Sequence, residues 1–244
     1  TIINTPIQVC NTEHRNWTYN ATYAEDGKKK EVVAYFDGSQ RNRQTVTLSN
    51  TENVALISEN IYDYEGRAAI QTLPAPAKNT NSTAYGNNLL FYQNLNLNQA
   101  AQPYSKKDFD KDALFANCSP NTIPGMLSVP QSGNYNMGSS YYYSDQNVLA
   151  LTTGFGNAIP DANDYPFTQV LYTNKGTVKM QSGVGNNLNT GSGHETQFLN
   201  ATASQEKLDR LFGNEVGYAE HYSENITIDP NGQIAVAYKD LSGK

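Results

Sequence analysis

The chain is poor in the residues from which most catalytic and metal centres are assembled, with three histidines and two cysteines in 244 residues. Cys10 and Cys118 lie far apart and belong to no metal-type spacing such as C-x-x-C. A disulfide between them in an oxidising compartment and a pair of free thiols are both open. Charge is scarce too, at 16% of residues, and the balance is acidic, with a net charge of −6. Such a surface repels phosphate backbones, and the one basic run, Lys28-Lys29-Lys30, follows a turn signal, so nucleic acid is excluded as a partner. There is no run of about 18 apolar residues for membrane insertion, and no signal peptide heads the chain.

Motifs that carry chemistry are missing as well. His194-Glu195-Thr196-Gln197-Phe198 begins like a zinc-protease helix but has Phe198 where the second histidine must sit, and Gly191-Ser192-Gly193 before it is a poor helix former. It reads instead as a turn in which His194 and Glu195 hydrogen-bond to backbone. No G-x-S-x-G elbow occurs, and Gly183-Val184-Gly185 does not continue into a phosphate cradle. Asp63, Glu65, Asp108, Asp110 and Asp112 are carboxylates without a spacing that pairs any two for acid/base work. No cofactor, metal ligand or catalytic residue is assigned, and the expectation is a non-enzyme.

What the chain has in abundance is Asn, with 30 residues, together with 17 Tyr and 18 Gly. An uncharged polar surface of this kind suits a secreted or cell-surface β protein. Turn signals punctuate period-two runs at Glu25-Asp26-Gly27, Phe36-Asp37-Gly38, Tyr64-Glu65-Gly66, Asn174-Lys175-Gly176 and Asp229-Pro230-Asn231-Gly232. Each offers a glycine for the positive φ of a tight hairpin. The fold class expected is all-β, built of antiparallel hairpins and meanders, with one short α-helix over 203–212.

Three regions follow from this reading. Residues 1–78 form a β-meander that Leu73-Pro74-Ala75-Pro76 closes, because proline cannot continue a ladder. Residues 79–165 are a loop-rich connection, with short strands at Leu89 to Tyr92 and Ser139 to Tyr143, which must pack over something to be tolerated in a compact domain. Residues 166–244 hold hairpins and the helix, capped by Thr202 and Gln205, with Leu208, Leu211 and Phe212 as its apolar face and Gly213 as its stop. A further helical turn follows over Val216 to Tyr222. Both ends of the chain read as cuts in a longer polypeptide.

Tyr35-Phe-Asp-Gly-Ser-Gln-Arg41 and Tyr62-Asp-Tyr-Glu-Gly-Arg67 resemble the YD repeats of bacterial RHS proteins, in which Tyr-Asp and Gly-Arg bracket a hairpin turn. Asp37, Gly38, Arg41, Tyr62, Asp63, Gly66 and Arg67 are the residues that match. Gly191-Ser-Gly-His-Glu-Thr196, with His194 and Glu195, resembles a segment that precedes the regular repeats in large secreted members. The resemblance implies a wall or plug of a β-sheet shell that encloses or presents a C-terminal effector or toxin. Its partners are then the remaining segments of the same polypeptide, the effector, and the secretion machinery. The alternative is an extracellular adhesin or glycan-binding module whose aromatic platform is Trp17 with Tyr141-Tyr142-Tyr143.

Overall fold

The computed structural model describes residues 15–25, 29–49, 51–77, 85–98, 100–109, 126–127, 138–148 and 158–243. Cys10, Cys118, the turn expected at Asp26-Gly27, and Asp110 and Asp112 lie outside them. The protein is all-β: the described residues form eleven strands, paired antiparallel, and three short α-helices. They fall into two compact units, the first running to Thr168 with Val184–Asn186, the second comprising Gln169–Gly183 and the residues from Asn187 on.

In the first unit β1 (Asn16–Tyr23), β2 (Lys29–Phe36), β3 (Asn42–Ser49), β4 (Val54–Tyr62) and β5 (Ala68–Thr72) form a meander, each strand paired with the next. Alternation decides its inner face. Val33, Val46 and Ile57 stand opposite one another across three strands and are fully buried.

Leu73-Pro74 ends the regular hairpin, but Pro76 does not end the sheet. Ala75–Pro76 form a two-residue strand, β6, against Leu56 and Ile57 of β4. The ladder is carried by the Ala77 N–H, which donates to the Ala55 carbonyl at 2.7 Å, so the N–H that Pro76 lacks is not called on. This corrects the expected terminator.

The connection that follows belongs to the same unit. Leu89 to Tyr92 are not a strand, and the expected strand at Ser139 to Tyr143 is a helix, α2 (Gly138–Tyr142). Tertiary bonds override strand propensity there. One turn of helix lets the Ser139 hydroxyl reach the Leu73 carbonyl and, just beyond it, the Tyr143 hydroxyl reach that of Pro74. A second core joins Ile61 and Ile70 to Tyr104, Phe109, Leu127 and Phe167, with α1 (Lys106–Phe109) supplying Phe109.

The second unit is a ladder of β7 (Phe167–Tyr172) from Gln169 on, β8 (Val178–Gln181), β9 (Thr196–Thr202), β10 (Tyr222–Ile228) and β11 (Ile234–Asp240). The helix, α3 (Gln205–Phe212), lies between β9 and β10 in sequence. Its cap differs from the expected one. Thr202 ends β9, Ser204 occupies the cap position without a side-chain bond, and Gln205 instead donates to Asp209 and the Gly217 carbonyl and accepts the Ala219 N–H. Only Leu208 of the apolar trio is buried, while Leu211 and Phe212 are exposed. The Lys207 ammonium, 2.9 Å from the buried Glu224 carboxylate of β10, provides the second anchor. Gly213 is the stop, at φ 86, with its N–H on the Asp209 carbonyl.

Candidate functional site

Two polar constructions stand out, and the first is a turn used repeatedly. In Asp37–Arg41 the Gln40 N–H donates to the Asp37 carbonyl at 2.9 Å and the Asp37 N–H to the Arg41 carbonyl at 3.0 Å. Asp37 Oδ1 accepts the N–H groups of Ser39 and Arg41 at 2.9 and 3.0 Å. Oδ2 accepts Arg41 Nε at 2.8 Å. Asp63–Arg67 repeats every one of these bonds, with Gly66 in place of Gln40 and Arg67 Nε at 2.7 Å. The turn is a type I turn closed by a left-handed residue, the common three-residue hairpin loop.

Asn98–Gln102 and Asp229–Gln233 use the same side-chain acceptor and the same fourth-position twist, without the arginine. Thr173–Thr177 keeps the backbone bonds with a threonine hydroxyl as acceptor.

The left-handed residue is the fourth of each turn. Gly66, Gly176 and Gly232 therefore do what their sequence signals imply, at φ 78 to 82. Gly38 does not. It is second in its turn and has no positive φ, and Gln40, at φ 59, takes the twist instead. The Phe36-Asp37-Gly38 signal located the hairpin but misassigned the strained position by two residues.

The two arginine clasps are neighbours. Arg41 lies over the Tyr62 ring at 5.1 Å, and the Tyr62 hydroxyl donates to the Asn42 carbonyl at 2.7 Å. Burial pushes the Asp63 carboxyl up, but the Arg67 N–H, the Arg67 guanidinium and the Glu65 N–H outweigh it and hold the group below the usual carboxylate range. Asp37 is held low by the same balance.

The second construction was not read from the sequence. Tyr35, Gln44 and Glu59 stand opposite one another across β2, β3 and β4, pointing to the inner face. Residues 85–98 cross that face as an irregular strap and meet each in turn. The Tyr35 hydroxyl donates to the Leu89 carbonyl. Gln44 exchanges two bonds with the Tyr92 backbone, at 2.7 and 3.0 Å. Glu59 accepts the amide of Asn96 at 2.6 Å and that of Gln44 at 2.7 Å. Polar side chains at inward positions of otherwise apolar strands, Gln44 before Val46 and Glu59 between Ile57 and Ile61, were the available signal.

Desolvation raises the pKa of the Glu59 carboxyl, against the pull of Asn96, Gln44 and Arg43. Both donors are locked: Gln44 Oε1 is held by the Tyr92 N–H and Asn96 Oδ1 by the Ser140 N–H, so neither amide can turn to offer an acceptor. Glu59→Gln therefore sets an NH2 against an NH2 and should cost about 1–3 kcal/mol at neutral pH. A raised folded-state pKa means that the native chain binds this proton more tightly than the unfolded one. The wild-type advantage over the variant should widen on acidification towards the ordinary carboxylate range and narrow as pH rises through the folded-state value. Urea titrations across that window measure it, and an advantage that narrows on acidification would contradict the assignment.

His194 and Glu195 lie in the second unit, in a bend before β9. His194 Nδ1 is 2.9 Å from the Pro230 carbonyl oxygen, and Glu195 accepts the Gly193 N–H at 2.9 Å. Thr196, Gln197 and Phe198 are strand residues, so no helix aligns a second ligand with His194. Among the described residues no cluster of three His, Cys, Asp or Glu side chains could hold a metal. In the tyrosine run Tyr141 is buried, and Tyr142 packs edge-on against Tyr143 and Tyr85.

Residues 10–116 match the model of a family described as Domain of unknown function (DUF6443). This stretch, less than half of the chain, holds β1 to β6, both arginine clasps and the strap with its polar row. No curated protein matches the chain.

Proposed function

We propose that the chain is a structural segment of an RHS/YD-repeat type of shell, non-catalytic in itself, forming part of a wall or plug that encloses or presents a C-terminal effector. The observation that carries this reading is the recurrence of one five-residue turn, twice with the Asp–Arg clasp, along consecutive antiparallel strands. A device that sets strand after strand at a fixed twist, with inner faces held by a strap, supports a role in making surface rather than in turning over a substrate. On this reading the protein is secreted or exposed at a cell surface, and its partners are further segments of the same polypeptide, the effector and the secretion machinery.

Strands that such a shell would continue need an open edge. In β11, Ile234, Ala235, Val236 and Ala237 are exposed and carry neither charge nor proline, the two usual guards of an edge. The isolated chain should self-associate with rising concentration, and Val236→Lys should suppress this while leaving the circular dichroism spectrum unchanged. Sedimentation velocity reads both. A wild-type chain that stays monomeric and unfolds cooperatively at every concentration would count against the shell.

A further inference from the structure

The two clasped turns differ in their fourth residue, and the difference has no structural return. Gly66 takes the left-handed conformation freely, whereas Gln40 takes it at φ 59, where a side chain costs free energy that glycine does not. Gln40 is exposed, and its side-chain amide makes no hydrogen bond among the described residues. Ala101 is the other non-glycine at this place in a turn of this form, and it has no polar group to offer.

Gln40 does border a cavity. With Asn16, Trp17, Thr18 and Phe36 it lines an open pocket of about 300 Å³. Asn16 stands opposite Phe36 across the β1–β2 ladder, so an amide and an aromatic ring meet on one face of the sheet, with Thr18 two residues along the same face. Among the described residues that line the pocket none is charged.

We infer that this pocket is a binding subsite for a neutral saccharide, and that Gln40 is kept in a strained conformation to present its amide there. The lining fits that class. The Phe36 ring supplies an apolar surface for the C–H face of a sugar, while the Asn16 and Gln40 amides and the Thr18 hydroxyl can donate to and accept from ring hydroxyls. The volume lies at the small end of ligand cavities, the size of one or two sugar rings. Among the described residues the lining offers acidic ligands no cation, and cations no carboxylate. The inference stands apart from the shell reading and relocates the sugar platform from the tyrosine run to the β1–β2 edge.

Saturation-transfer NMR on the full chain, with a panel of neutral di- and tetrasaccharides built from glucose, galactose and N-acetylglucosamine, is the test. The method reads associated protein as well as monomer, so self-association does not obstruct it. At least one neutral sugar should bind at millimolar concentration. Gln40→Gly should raise the melting temperature by about 2–4 °C yet weaken that sugar at least tenfold. Gln40→Ala, which keeps the backbone conformation and removes the amide, should weaken it equally without the thermal gain. No binding by any neutral sugar, binding confined to sulfated or other charged sugars, or a Gln40→Gly variant that binds as wild type would each overturn the inference. A Gln40→Gly variant less stable than wild type would remove its premise.

Discussion

Gly138→Ala should be the most damaging small substitution in the first unit, lowering stability by about 3–5 kcal/mol. Gly138 opens α2 at φ 79, a conformation that already disfavours any side chain. The added methyl would also overlap the Leu95 carbonyl oxygen and Asn96 Oδ1 and lie 2.8 Å from the Leu95 carbonyl carbon. These are backbone and locked amide atoms, so there is no flexible end to swing aside. Relief requires the strap to lift. Asn96 would then lose the Ser140 N–H and its hold on Glu59, one bond that ties the strap to α2 and one of several that tie it to the sheet. A urea midpoint close to wild type for this variant would mean that the strap is not fixed as described. Gly38→Ala is the matched control: its Cβ meets nothing within 4 Å and its φ is ordinary, so its effect should be within about 0.5 kcal/mol.

Asp63→Ala should cost about 3 kcal/mol at neutral pH, and Asp37→Ala about 1 kcal/mol, although the two turns share one hydrogen-bond pattern. The difference is burial. The side chains of Asp63 and Arg67 are 7% and 21% exposed, against 18% and 36% for Asp37 and Arg41. Removing Asp63 strands two backbone N–H groups and a guanidinium away from full solvation, while water repairs most of the loss at the outer turn. Both carboxyls lie below their ordinary pKa in the folded chain. Their stabilisation is therefore fully present above the unfolded value near about 3.9 and is lost as pH falls through the lower folded value. The penalty of Asp63→Ala should shrink below about pH 4, the reverse of the trend expected for Glu59. Chemical denaturation of both variants at neutral and acid pH reads the ranking and the trend. Equal penalties for the two aspartates would mean that burial does not set the strength of the clasp.

The hairpins were legible because their cause is local. An Asp whose side chain reaches two and four residues ahead, and a glycine at the fourth place, act within five consecutive residues. The fourth-place role of Gln40 was hidden because Gly38 nearby offered a cheaper reading. The end of β5 was legible, but β6 was not, because whether Pro76 breaks a ladder depends on which neighbour supplies the N–H, and that is known only from the register. The helix was legible from its stop glycine and Leu208. Its true anchors, Lys207 to Glu224 and Gln205 to the Gly217 carbonyl, join residues 17 and 12 positions apart and leave no local pattern.

By itself, then, the sequence determined an all-β chain, the places of the turns that begin at Asp37, Asp63, Thr173 and Asp229, and the position of α3, since each rests on a residue acting on its immediate backbone. Only the tertiary structure decided that residues 85–98 are a strap, that Tyr35, Gln44 and Glu59 form the row that holds it, and that Tyr141 is buried in a helix. The bonds of that row span 37 to 54 positions. A polar side chain on an apolar strand carries no mark of its distant partner. The physical reason it is tolerated, full hydrogen bonding inside a face that excludes water, exists only once the chain has closed over it.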